Sequence, residues 1–142
     1  MMLDEGSRTG RGVFRFILKI PAFLICIAIW LLSSQSILPQ PKGILGFDKL
    51  QHLAAYLALA FAVVLWFPPE RRRLWTGLFA GLIASGYGII DELHQYFVPG
   101  RDCNVWDWFA DVLGSAIGAG IGVVVMAVIV QRKKKCTMSG DV

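Results

Sequence analysis

Four long apolar stretches, at residues 13–32, 50–67, 74–90 and 109–130, constrain this chain more than any other feature. A helix needs roughly 20 residues to cross a bilayer core about 30 Å thick, and each stretch is near that length. Backbone in lipid must satisfy its own hydrogen bonds, so all four are predicted to be helices. The third is short but can continue as helix through residue 97, and the fourth opens near Trp106. Pro39, Pro41 and Gly43, then Pro68 and Pro69, then Pro99 and Gly100 separate the stretches with turn-forming residues. Trp30, Trp66, Trp75, Trp106 and Trp108 all fall near predicted helix ends, where indole rings favour the membrane interface.

With 142 residues, 56% hydrophobic and 17% charged, the chain is too apolar for a small soluble enzyme or a disordered segment. The expected fold class is all-α, a four-transmembrane-helix bundle. Its formal net charge of +4 would suggest nucleic acid in a soluble domain. Here the basic residues flank apolar runs, so they read as orientation signals and no nucleic-acid partner is expected. Arg8, Arg11, Arg15, Lys19, Arg71, Arg72, Arg73, Arg132, Lys133, Lys134 and Lys135 belong to one side of an even-span topology. Only Lys42, Lys49 and Arg101 belong to the other. The positive-inside rule then puts both termini in the cytoplasm. Acidic residues lean the other way: Asp48, Asp91, Glu92, Asp102, Asp107 and Asp111 fall outside, and Asp4, Glu5, Glu70 and Asp141 inside.

The expected organisation is a basic cytoplasmic N-terminus (1–12), a membrane domain (13–130) and a basic cytoplasmic tail (131–142). A signal peptide is the alternative reading of the first stretch, but its apolar run exceeds a usual signal core. Cys26, Cys103 and Cys136 are kept apart by this topology, which argues against an intrachain disulfide.

Helical spacing gathers the polar residues. Asp48, His52 and Tyr56 recur every four residues, so one face of the second helix carries a carboxylate, an imidazole and a phenol. Gly77, Gly81, Ser85 and Gly88 share a face of the third helix that ends in Glu92 and Gln95. Asp107 and Asp111 open a face of the fourth that continues in Gly114, Gly118 and Gly122. Small residues let helices approach closely in lipid, and ionisable groups there face the bundle interior and pair. One polar cluster near the outer leaflet is therefore predicted, from Asp48, His52, Tyr56, Glu92, Gln95, Arg101, Asp107 and Asp111. Each residue has a plainer alternative: Asp48 and Asp107 as N-caps or first-turn acids, His52 as an interfacial histidine, Tyr56 as packing. His94 falls on another face and is peripheral.

These residues resemble a known family. Asp48-Lys49-Leu50-Gln51-His52 followed by Tyr56, the segment from Asp91 to Arg101 with Glu92, Gln95, Pro99, Gly100 and Arg101, and the closing Asp107, Asp111, Gly114 and Gly118 are similar to the signature of VanZ-like membrane proteins. The resemblance runs over about 48–122, in order and near the family's spacing. Many members carry Asn where this chain has Asp111, which adds an acid. The resemblance implies a small multi-pass protein of the cell membrane. The family's namesake is linked to resistance to teicoplanin, a glycopeptide that acts on cell-wall precursors outside the cell.

Three chemistries remain open at this stage. In the first, the cluster binds or modifies envelope material, either membrane lipids or lipid-linked cell-wall precursors. Arg101 and Lys49 would contact phosphate, and Tyr56, Gln95, Asp107 and Asp111 would complete the ligand-binding set. In the second, the protein is an enzyme with His52 as general base, Asp48 orienting it and Glu92 as a second acid–base group, performing acyl or phosphoryl transfer on a lipid. No nucleophile stands out: Ser85 is deep and Cys103 has no evident partner. His and carboxylates suit Zn²⁺ or Mn²⁺, but no HExxH-like spacing is present, so no metal ligand and no cofactor are assigned. In the third, the cluster only locks helices together. Transport by alternating access would require more than four short spans, which keeps a homo-oligomer among the candidate partners.

Overall fold

The computed structural model describes residues 12–36, 46–68, 73–101 and 103–139. Arg8, Arg11, Lys42, Arg71, Arg72, Asp4, Glu5, Glu70, Asp102, Asp141, Pro39, Pro41, Gly43 and Pro69 lie outside the described residues. The chain is all-helical, with no strand among the described residues, and carries four helical segments long and apolar enough to span a membrane. We label the main helices α1 (Ile20–Ser33), α2 (Phe47–Val64), α3 (Arg73–Tyr96) and α4 (Val105–Ser139).

The first span starts at Gly12, and a turn at Leu18 and Lys19 separates its opening from α1. Pro21 accounts for that break. Its ring nitrogen has no proton to donate, and the ring crowds the carbonyl four residues back. Helix α2 begins three residues before the predicted apolar stretch, on Gly46, whose φ of 78° only glycine adopts without strain. Helix α3 runs through the polar segment Asp91–Tyr96, so its third-stretch extension is continuous helix. Helix α4 does not stop at residue 130 but carries the basic tail on through Ser139. At about 1.5 Å per residue it is longer than a bilayer core is thick, which leaves exposed Arg132, Lys133, Lys134 and Lys135 on its far end.

Helices α2 and α4 share the largest interface, α3 packs across both, and α1 lies outside against α2 and α3. The core is narrow and rich in alanine: Ala60, Ala62, Ala80, Ala84 and Ala119 surround Tyr56, Leu59, Val63 and Val64. Large apolar side chains such as Phe23, Leu24, Leu82, Phe109 and Val124 point outward. This inversion is expected where the surrounding solvent is hydrocarbon and association depends on close packing.

The closest approach is made by glycine. A methyl group at Gly114 would run into the Leu53 carbonyl oxygen, and one at Gly118 into that of Leu57. At Gly122 it would meet Val64 side-chain carbons at 3.0 Å. The pairing order makes α2 and α4 parallel. The opposing contacts of α3, Gly77 on Val123 and Gly88 on Asp111, make it antiparallel to α4. The start of α1 and the end of α2 meet where Phe23 stacks on Trp66, with ring centroids 5.6 Å apart. At the opposite end, Trp30 stacks on His94 at 3.8 Å.

Gly114→Ala and Gly118→Ala are expected to lower stability by roughly 1–3 kcal/mol each, the usual cost of overpacking. Gly120→Ala, which meets nothing within 4 Å, should leave the melting temperature in detergent unchanged or slightly raised. Thermal unfolding followed by circular dichroism checks the contrast.

Candidate functional site

The glycine crossing sets the register of the polar residues. Leu53 rests on Gly114, so His52, just before it, comes level with Asp111, nearly one turn before Gly114. The His52 Nδ1 lies 2.9 Å from Asp111 Oδ1 and 3.9 Å from Glu92 Oε1. Gly88 makes room for this acid from α3: a Cβ there would stand 2.8 Å from Asp111 Oδ2. Asp111 is fully buried, and Glu92 and Asp107 are nearly so. The second Glu92 oxygen accepts the Asn104 backbone N–H at 2.9 Å. With Asp111 ionised, His52 donates from Nδ1, and in the neutral form of the ring Nε2 then carries the lone pair.

Lys49 bridges two acids, with Nζ 2.9 Å from Asp48 Oδ2 and 3.0 Å from Asp107 Oδ1. Two expectations change here. Asp48 does not orient His52; it is committed to Lys49, and Asp111 is the partner of the imidazole. Lys49 is not a free phosphate contact either, because two carboxylates already balance its charge.

A second polar chain runs along the end of α3. Gln95 Nε2 donates to Asp91 Oδ2 at 3.1 Å, and Arg101 Nη2 donates to Gln95 Oε1 at 2.7 Å. No ion pair engages Arg101 among the described residues. Tyr56 lies in plane-parallel contact with His52, ring centroids 6.4 Å apart. It is 1% exposed, and its hydroxyl finds no protein partner among the described residues. Asp91 Oδ1, Glu92 Oε1, Asp111 Oδ2 and Ser115 Oγ are likewise buried without a hydrogen-bond partner.

Asp91 and Asn104 are site neighbours that sequence reasoning missed. The four-residue spacing of Asp91 to Gln95 was an available signal. Asn104 Oδ1 accepts the Trp106 N–H at 3.0 Å, so Asn104 caps α4 and Asp107 is a first-turn acid. Asp48 is a first-turn acid too, since Gly46 holds the N-cap of α2. His94 is peripheral: it stacks on Trp30 and meets Ser34 Oγ at 2.9 Å, joining α1 to α3. Not every tryptophan behaves as an interface anchor. Trp66 is half-buried, and Trp108 Nε1 donates to the Ser85 carbonyl at 3.3 Å.

Donor atoms of His52, Glu92 and Asp107 lie within 4.8 Å of one another, a set that suits a divalent cation. They come from three helices, so no local spacing could reveal them. A cation there would compete with Lys49 for Asp107. Neither Ser85 nor Cys103 is an activated nucleophile. Ser85 Oγ donates to the Gly81 carbonyl at 2.8 Å. Cys103 is exposed, and partial desolvation, then the nearby Glu92 and Asp107 charges, push its thiol above the ordinary range.

The family model described as VanZ/LLP1 matches residues 8–127. The chain belongs to the VanZ/LLP1 family. The match reaches beyond the signature at 48–122 and takes in the first span, α1 included. Searches of curated proteins and of solved structures return no significant match.

Asp111→Asn keeps an acceptor for the His52 Nδ1 proton and should melt near the parent temperature. Asp111→Ala leaves the imidazole unpaired and should cost about 3 kcal/mol. A raised Cys103 thiol means less thiolate near pH 8 and slow maleimide labelling. Glu92→Gln removes one negative charge, so the thiol should fall toward its ordinary value and the labelling–pH curve should move to lower pH. Stopped-time labelling read by intact mass checks the sign.

Proposed function

We propose that this VanZ/LLP1 family member takes the polar end of a cell-envelope amphiphile, a lipid head group or a lipid-linked precursor, at the outer leaflet. One observation carries the reading. A cleft of about 330 Å³ opens between α1, α2 and the end of α3. Its lining is mixed: apolar Ile29, Leu32, Ala54 and Ala55 stand among polar Ser33, Asp48, Gln51, His52, Tyr56, Asp91 and Arg101. A cleft at the end of a membrane bundle with both apolar and charged lining fits a molecule with an acyl chain and a charged head. Arg101 spends one donor on Gln95, and its remaining guanidinium N–H groups suit phosphate.

The side of the membrane follows from charge. The basic residues on the far end of α4 belong in the cytoplasm by the positive-inside rule, which leaves the cleft facing out. A purely structural role is disfavoured by the unpartnered buried atoms around Tyr56 and Asp91. Each costs roughly 1–3 kcal/mol, and a cluster serving only as a lock would be expected to pair them.

A catalytic reading of the same cleft draws on His52. Held by Asp111, the neutral form of its ring would offer a basic nitrogen, and Glu92 stands beside it for a second proton transfer. With neither Ser85 nor Cys103 activated, water would be the nucleophile in hydrolysis of an acyl or phosphoryl bond. Family membership adds teicoplanin susceptibility as a cellular readout of either activity.

The test is lipid retention. Purified protein should carry envelope lipid through detergent exchange, and Arg101→Gln should reduce that lipid about tenfold without loss of helix content. Lipid-free protein, or an unchanged Arg101→Gln, overturns the binding reading, and a chemically altered lipid establishes the enzyme. A reporter fused after Arg101 should behave as extracytoplasmic; cytoplasmic behaviour overturns the orientation.

A further inference from the structure

We propose that the head group this cleft selects is zwitterionic: a primary ammonium joined to a phosphodiester, as in an aminophospholipid. The inference rests on the cleft being a lipid site and adds which lipid it takes.

The first argument is a separation of charge. Asp91 and Arg101 both line the cleft, and opposite charges in a weakly polar medium gain strongly from direct contact. Instead Gln95 stands between them, giving a proton to Asp91 Oδ2 and accepting one from Arg101. The amide holds an acid and a base apart along one wall and leaves each with unused capacity. On the acid this is Asp91 Oδ1, without a partner in a residue 1% exposed. On the base it is the rest of the guanidinium. A ligand with a cation and an anion a few bonds apart completes both ends.

The second argument is charge balance. Asp48, Asp91, Glu92, Asp107 and Asp111 face only Lys49, Arg101 and the titratable His52 among the described residues at this end of the bundle. A purely anionic lipid would add negative charge where it is already in excess. An ammonium offsets that excess while Arg101 takes the phosphate.

The third argument is hydrogen bonding. The Tyr56 hydroxyl is unpartnered in a residue 1% exposed, and it lies in the electrostatic field of Asp91. Tyr56 and Asp91 both line the cleft, and the unpartnered oxygen of each is an acceptor for one cation. A primary ammonium has three N–H donors and can satisfy both. A trimethylammonium has none. The apolar lining residues Ile29, Leu32, Ala54 and Ala55 take the start of an acyl chain.

The experiment uses the purified full chain in detergent micelles supplied with equal amounts of phosphatidylethanolamine, phosphatidylglycerol and phosphatidylcholine, with bound lipid counted by native mass spectrometry. Phosphatidylethanolamine should exceed each of the others about tenfold. Tyr56→Phe and Asp91→Asn should each lower its retention severalfold; Tyr56→Phe should leave phosphatidylglycerol unchanged and Asp91→Asn should not lower it, whereas Arg101→Gln should lower all three. Tyr56→Phe removes one oxygen atom, so it carries the test if Asp91→Asn fails to fold. Equal retention of the three lipids, or a preference for phosphatidylglycerol, overturns the head-group assignment and leaves the lipid site standing. Retention of none overturns both.

Discussion

The rest of this structure depends on the backbone contact between α2 and α4 at Gly114 and Gly118. The carbonyl oxygens of Leu53 and Leu57 occupy the space that side chains on α4 would fill. In hydrocarbon there is little hydrophobic force between helices, so association relies on dispersion at short range and on polar contacts. Two parallel helices pressed this closely have one register. That register brings His52 to Asp111 and Lys49 to Asp107, and Gly88 lets α3 close over the same place with Glu92.

Charge at this end of the bundle is handled in two different ways. On the α4 side it is paired: Lys49 lies between Asp48 and Asp107, and His52 lies against Asp111. On the cleft side it is kept apart, with Gln95 between Asp91 and Arg101. The first arrangement offsets the cost of burying ions and fixes the imidazole. The second leaves polar capacity at the wall of a cleft that also has apolar lining. A binding surface is expected from the second arrangement and a rigid support from the first.

Much of the architecture was legible because a membrane span is a property of one stretch of chain. Length, hydropathy and the small-residue spacing of Gly114, Gly118 and Gly122 can be read without knowing any neighbour. The boundaries were less so. The helix of α4 passes through a basic tail with no breaker until beyond Ser139, and apolar content alone stops at residue 130. The extra turn at the start of α2 rests on Gly46, whose value lies in a positive φ rather than in hydropathy. Trp108 looked like an interface anchor by position, but its indole nitrogen faces the Ser85 carbonyl.

By itself the sequence determined that the chain is helical and spans a membrane, and that polar groups recur at the ends of its spans. These follow from periodicity and from the demand that backbone in lipid bond to itself. Only the tertiary structure decided who pairs with whom. Asp48 is four residues from His52, one helical turn, yet Asp111 holds the imidazole from 59 residues away. Asp91 and Arg101 share a cleft without touching because Gln95 intervenes. Pairing is a matter of which helix faces meet and how closely, and no single helix carries that information.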